Sequence, residues 1–506
     1  MVLTLVILLP VVGALALLAI PSEQMETIRR VGLSVALSVF VLSLGLLWQF
    51  DSGKAGYQVE TDVPWISIPE IHFHIGIDGI SLWLILLTTF LMPIALLASW
   101  NIGERVKAFF ALFLLLETGM LGVFASLDLF LFYVFWEVSL VPMYFIIGVW
   151  GHGRRIYAAV KFFLFTMAGS VLMLVAIVWL YRAAHTFDIP LLLQHRELFA
   201  GPEQGWLFLA FFLAFAIKVP MFPLHTWLPD AHTEAPTAGS VMLAAVMLKM
   251  GTYGLVRFCV PLFPEAAGRH APWIVTLALI GIVYGALVAM VQPNMKKLVA
   301  YSSVSHLGLV VLGIFSFNQI ALDGAVYQML NHGISTGALF LLVGMLYDRR
   351  HNFMIAEYGG LATPLPIFSS VFLFVTFSSI GLPLLNGFVG EFLILLGASQ
   401  ARFVYSVIAA TATILAAVYM LWMYQRVFLG ESTNAENNKL SDLSAREKWV
   451  IAPVMAMALI MGVASGWFFK PMEGATARVV QQTAAPAHVQ NISKPPMAVT
   501  LTGGGQ

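Results

Sequence analysis

Ile217-Lys218-Val219-Pro220-Met221-Phe222-Pro223 is the stretch on which the reading of this chain turns. From Trp206 to Ile217 the sequence is apolar, as a helix buried in lipid requires. Lys218 lies about 18 Å along that run, at 1.5 Å per residue. Pro220 and Pro223 then each remove a backbone donor. Backbone groups released in this way cannot face hydrocarbon; they are buried in protein or line a wet cavity. An ammonium at a broken helix inside the membrane therefore marks a functional position. The plainer alternative is a lysine snorkelling from a helix end. The length of apolar helix ahead of Lys218 weighs against it.

The rest of the composition agrees. Of 506 residues, 60% are hydrophobic and 10% charged, and the mean hydropathy is +0.88. Soluble domains run nearer to about 45–50% apolar and about 25% charged. The chain is read as an all-α polytopic membrane protein with little sequence left for a soluble domain. A formal net charge of zero gives no handle for nucleic acid. Cys259 is the single cysteine, which excludes an internal disulfide and a cysteine-ligated zinc or iron–sulfur cluster. Met1 to Ile20 has no basic residue ahead of its apolar run and reads as a retained first span, not a cleaved signal.

At about 20 apolar residues per span, the chain divides into about 14 transmembrane helices. The seventh (206–229) and twelfth (366–398) are long and interrupted. Of the 26 Lys and Arg residues, Lys218 and Lys249 lie inside spans; the odd-numbered loops hold 15 and the even-numbered ones six. By the positive-inside rule the odd loops are cytoplasmic and both termini face outward. Residues 1–106 hold the first three spans and an outward loop (50–77) that should pack over the helix ends. Residues 426–470 give a cytoplasmic loop and span 14, and 471–506 read as a poorly ordered tail rich in Ala, Pro and Thr.

Between them lies an internal echo. Ser379-Ile380-Gly381-Leu382-Pro383-Leu384-Leu385-Asn386-Gly387 breaks span 12 as Pro220 and Pro223 break span 7, and Glu391 follows. The two broken helices are five spans apart and so run in opposite directions. Inverted five-helix repeats would give this, spans 4–8 (107–258) against 9–13 (272–425), with ion sites near the midplane. Two unrelated proline kinks are the alternative.

Six ionisable groups fall deep inside spans of both halves: Glu137, Lys218, Lys249, His306, His332 and Glu391. An isolated charge there costs at least about 2.5–3.5 kcal/mol, so the set must be paired, hydrated or partly neutral. Such a set can pass protons, since desolvation favours the neutral forms and a nearby opposite charge restores the charged ones. A Lys218 paired with Glu137 keeps its proton; one whose partner turns away releases it. Histidine suits the position between lysines. Glu117 can be structural glue, and Asp128 can simply cap span 5. His225, Asp230, His232 and Glu234 lack the spacing of a helical metal motif, and line a proton entrance or pack a helix end. Tyr253, Arg257 and Gln292 carry no reading from sequence.

Several stretches resemble the antiporter-like subunits of respiratory complex I. They are Phe135-Trp136-Glu137 with Leu140-Val141-Pro142-Met143-Tyr144, Leu224-His225-Thr226-Trp227-Leu228-Pro229-Asp230-Ala231-His232, Ala235-Pro236-Thr237-Ala238-Gly239-Ser240-Val241 and Tyr301-Ser302-Ser303-Val304-Ser305-His306. The resemblance covers nearly the whole chain, and is nearest to the M-type subunit, the equivalent of mitochondrial chain 4, in which the ionisable residue of span 12 is a glutamate, here Glu391. It implies proton translocation driven by electron transfer from NADH to quinone in other subunits. Glu137 and Lys218 would gate proton input, Lys249 would be the central relay, His306 and His332 bridges, and Glu391 the output. It also implies a bacterial inner-membrane location beside L- and N-type neighbours and small K-, J- and A-type subunits. The chain has no phosphate-binding glycine loop and no cluster cysteines, so no NADH, flavin, iron–sulfur centre or metal is expected on it, and the resemblance places quinone elsewhere too.

Two other functions fit parts of the pattern. A subunit of a multi-subunit sodium/proton antiporter, or of a related membrane-bound hydrogenase, would share the Glu–Lys arrangement. A membrane scaffold would have no reason to bury so many ionisable groups.

Overall fold

The computed structural model describes residues 1–54, 56–432 and 434–484. Two apolar helices open the chain, α1 (Val2–Ala19) and α2 (Met25–Gln49). A hairpin of β1 (Gln58–Ile66) and β2 (Ile71–Ile77) follows within the 50–77 connection, and lies over the ends of later helices. Next come α3 (Gly79–Ala98), α4 (Val106–Ala125), α5 (Leu129–Trp150), α6 (Arg155–Ala184) and the short α7 (Ile189–Gln194). The seventh span is two pieces, α8 (Gln204–Lys218) and α9 (Trp227–Glu234), and α10 (Thr237–Leu262) completes the first half. The second half holds α11 (Pro264–Met290), α12 (Met295–Ile314), α13 (Gln319–Arg350), the broken pair α14 (Pro366–Ser379) and α15 (Asn386–Ala401), and α16 (Phe403–Phe428). Two more close the chain, α17 (Ala445–Val463) and α18 (Gly466–Ala484), bent 70° from each other.

Among the described residues eleven helices are long and apolar enough to cross a membrane, or twelve counting the bent pair, and the two short apolar segments α8 and α14 each continue beyond a break. The spans sort by burial. Those windows of α10 and α13 are wholly buried, whereas those of α2 and α16 are 28% buried and present apolar surface outward. The interior is therefore a bundle wrapped around α10 and α13, and its ionisable groups ride on those two helices and their neighbours.

Several local features of the first half recur in the second. Asp128 caps α5, and the residues flanking it pair with the segment after α6: Leu129 N–H donates to Phe187 O and Ile189 N–H to Leu127 O, both 2.8 Å. Asn294 caps α12 in the same way, with Met295 N–H to Phe353 O and Ile355 N–H to Pro293 O, both 2.9 Å. The spacing from Asp128 to Asp188 equals that from Asn294 to Met354. Close approach recurs too. A Cβ on Gly119 would meet Ser139 N at 2.8 Å, and one on Gly285 would meet Ser305 N at 2.9 Å, so α4 against α5 and α11 against α12 need glycine there.

The breaks are built alike. After α8, Val219 N–H donates to Phe215 O and Met221 N–H reaches back to Ala216 O; after α14, Ile380 N–H donates to Thr376 O and Leu382 N–H to Phe377 O. Pro220 and Pro223 lie in the first break and Pro383 in the second, between helices and not within one. The Ile217 carbonyl freed by the first break accepts from the Trp227 indole at 2.9 Å. A buried backbone group left without such a partner would be expensive.

The tail expected from residue 471 is corrected in part. Residues 471–484 belong to α18, whose Met472, Ala475 and Val479 are buried, while Arg478 bonds Asp78. Ala, Pro and Thr counted over the whole tail hid this amphipathic helix. Residues 485–506 lie outside the described residues.

Candidate functional site

Lys249 stands near the middle of α10, immediately after a π-helical turn, Leu243–Met247. Such turns occur often at functional positions. Its Nζ donates to Ala244 O and lies 2.6 Å from His332 Nδ1 on α13. When Lys249 is protonated that nitrogen must accept, which leaves the ring proton on Nε2; among the described residues Nε2 is buried with no partner. The His332 ring lies 5.9 Å from that of His306, on α12. His306 Nδ1 in turn is 3.1 Å from Glu391 Oε1 on α15, which also accepts from Gln328 Nε2 at 3.2 Å. Tyr419 OH lies 3.4 Å from His306 Nε2. Four of the six sequence candidates thus form one row through the middle of the bundle. A polar cavity beside the two histidines leaves about 10 Å³ to the centres of water molecules, room for about one.

Lys218 and Glu137 stand differently. Lys218 is 1% exposed and its ammonium has no hydrogen-bond partner; it sits over the rings of Trp136 at 5.2 Å and Phe162 at 5.6 Å. Among the described residues no ion pair joins it to Glu137, one of whose carboxylate oxygens is buried without a partner. The pair is parted here, with the ammonium held by aromatic faces.

The supporting candidates divide. Asp128 accepts from Phe130 and Leu131 N–H, both 2.9 Å, and from His72 N–H at 3.3 Å, as a helix cap does. Asp230 bonds Lys161 Nζ at 2.7 Å. His225 is buried against Phe222 and Tyr284 at the first break. Glu117 is fully buried with both oxygens unpartnered. Among the described residues no cluster of three or more His, Cys, Asp or Glu side chains is placed to hold a metal ion.

Other buried groups lie outside that row, among them His232, which the sequence grouped with the residues of a proton entrance or a packed helix end. His232 is fully buried, both ring nitrogens lack partners, and it stacks on Phe340 at 4.6 Å. Lys296 was counted among the loop cations, yet it is 1% exposed and donates to Ala235 O at 2.5 Å. Arg257 pairs with Asp78 at 2.7 Å, and Arg478 takes the other Asp78 oxygen at 2.9 Å. The sequence signal for Asp78 was its place three residues before Ser81, which forms a capping box with it. A polar cavity of about 440 Å³ opens at the opposite end of the bundle, lined by Asn101, His152, Arg155, Thr237 and Tyr347 among others. There burial, helped by the Lys296 charge, pushes the His152 imidazole down to about 4, so it is neutral at pH 7.

Residues 126–423 match the family model for the transmembrane part of NADH:quinone oxidoreductase and Mrp antiporter subunits. NADH-quinone oxidoreductase subunit M of Rhodobacter capsulatus is 49% identical over 446 residues, 86% of this chain and 87% of the relative. A chain of respiratory complex I from Thermus thermophilus with bound NADH superposes with TM-score 0.88 at 33% identity, covering 96% of this chain and all of that one. A chain of the Mrp complex from Dietzia sp. DQ12-45-1b, at 21% identity and TM-score 0.82, covers 96% of this chain and 99% of its own, and shares the fold. With its broken helices and its buried row of lysine, histidines and glutamate, the chain belongs to the NADH:quinone oxidoreductase/Mrp antiporter transmembrane family, in the group of the NADH-quinone oxidoreductase M subunits.

Proposed function

We propose that this subunit carries protons along Glu137, Lys218, Lys249, His332, His306 and Glu391, driven by electron transfer from NADH to quinone in other subunits of the complex. The supporting observation is the run of contacts from Lys249 through both histidines to Glu391. Protons enter from the end bearing the Asn101–His152–Tyr347 cavity, and that end is cytoplasmic. The hairpin, α18 and both termini lie on the outer side of a bacterial inner membrane. L- and N-type subunits flank the chain, with small K-, J- and A-type subunits in the same arm.

Input works by exchange at Lys218. Without a direct ion pair to Glu137, its ammonium rests against the faces of Trp136 and Phe162. A buried cation without an ionic partner favours giving up its proton, and the return of Glu137 favours taking one. Lys249 and His332 receive the proton at the centre; His306 passes it to Glu391. His225, Asp230 and Glu117 border the input leg and shape its field.

The test is a pH-gradient measurement on the whole complex reconstituted in vesicles. Lys218→Ala should assemble at normal abundance and lose NADH-driven pumping through this subunit. Full proton yield per NADH from that variant would overturn the assignment.

A further inference from the structure

We propose that the groove between α1, α4 and α5 is a binding site for one anionic phospholipid, with an acyl chain in the groove and its phosphate at Arg105. The groove has a volume of about 370 Å³. Its floor is low because Ala14, Ala108 and Ala111 stand where longer side chains would fill it, and Leu15, Leu18 and Phe145 form walls open to the outside. The lining comes from the last turns of α1 and α5 and the first turns of α4, so the groove starts at one membrane surface and runs inward. From Arg105 to Leu115 it covers about 15 Å of helix, half of a roughly 30 Å hydrocarbon core, which is one leaflet.

The mouth is cationic. Among the described residues Arg105 is the one charged side chain in the lining, and it is exposed. Its backbone is left-handed, φ +47°, an unusual state for a residue with a side chain, and the preceding Glu104 carbonyl is held by the Trp150 indole at 2.8 Å. Glu26 is taken by Arg29 and Arg30, at 3.6 and 3.2 Å, and among the described residues no carboxylate pairs with Arg105. Among the described residues no side chain caps the start of α4, so its first N–H groups, beside Arg105, remain open to an anion. An apolar slot one leaflet deep, ending in a free guanidinium and open helix amides, matches a phospholipid in both parts. A zwitterionic lipid would fill the slot but gain less from the charge.

The test uses the assembled complex in native membranes, with a photoreactive amino acid at Leu112 inside the groove. Phospholipid should be cross-linked there, with phosphatidylglycerol and cardiolipin enriched about fivefold over the bulk lipid extract. Arg105→Gln should bring that ratio to the bulk value with the total lipid yield kept. Ala111→Phe, which raises the floor, should lower the total yield. A cross-link to a peptide of a neighbouring subunit would make the groove a protein interface and overturn the proposal. A headgroup ratio equal to bulk in the unmodified chain would reduce it to ordinary annular lipid and overturn it as well.

Discussion

His332→Phe is the sharpest perturbation of the central row. Phenylalanine keeps the ring's shape but has no nitrogen, so packing survives while the acceptor 2.6 Å from Lys249 Nζ is lost. The ammonium then keeps one acceptor, Ala244 O. A hydrogen bond to a charged group contributes about 1.5–3 kcal/mol, and about 1.4 kcal/mol is a factor of ten. The proton-bearing state of Lys249 should become roughly 10- to 100-fold scarcer, and transfer through it should slow by a similar factor. His332→Ala should do less harm. Removing the ring enlarges a cavity that holds about one water and is lined by Asn331, Ser335 and Thr336, polar enough to keep more water in place. Proton yield per NADH and initial rate of vesicle acidification, read with a pH-sensitive dye, separate the two variants. If the Phe variant pumps like the parent, Lys249 does not work through His332. If the Ala variant is as inactive as the Phe variant, the wet-gap argument fails.

Two further outcomes follow from the hairpin end of the molecule. Asp78→Ala leaves two guanidiniums, Arg257 and Arg478, without their carboxylate, which should lower stability by roughly 3–5 kcal/mol and free α18; thermal unfolding and protease release of residues 466–484 measure it. His74 on β2 bonds Asp188 at 2.7 Å and Glu60 at 3.3 Å, and the Asp188 bond foremost raises its pKa above 6.5. That contribution to hairpin stability is complete below pH 6.5 and is lost as pH rises through the raised value. The protection of residues 71–77, after correction for the intrinsic pH dependence of amide exchange, should therefore fall as pH rises above 6.5, and His74→Ala should lessen that fall, leaving the part due to His72.

What sequence revealed followed from locality. Pro220, Pro223 and Pro383 each disturb hydrogen bonds within a few residues, so the two broken spans were legible. Ionisable residues in apolar runs were legible because hydrocarbon makes them rare. Partnership was not, since it depends on packing between distant segments. Arg257 had no reading because its partner Asp78 is 179 residues away, and Arg478 lies 400 from the same carboxylate. Lys296 looked like a loop cation because it follows Asn294, yet that asparagine caps α12 and the lysine turns inward to Ala235. The Glu137–Lys218 pair depends on how α5 packs against α8, which sequence does not give, and among the described residues no ion pair joins the two.

Lys249, His332 and His306 each sit near the middle of their own helix and Glu391 lies in the second turn of α15, just past the break in its span, so the row they form should run nearly parallel to the membrane plane. A charge shifted along it stays at nearly constant depth and does almost no work against the transmembrane voltage. The whole electrical load, about 2.3 kcal/mol per proton for every 100 mV, falls on the short vertical legs at either end. Raising the voltage should therefore slow uptake or discharge of the proton while leaving its sideways passage almost untouched.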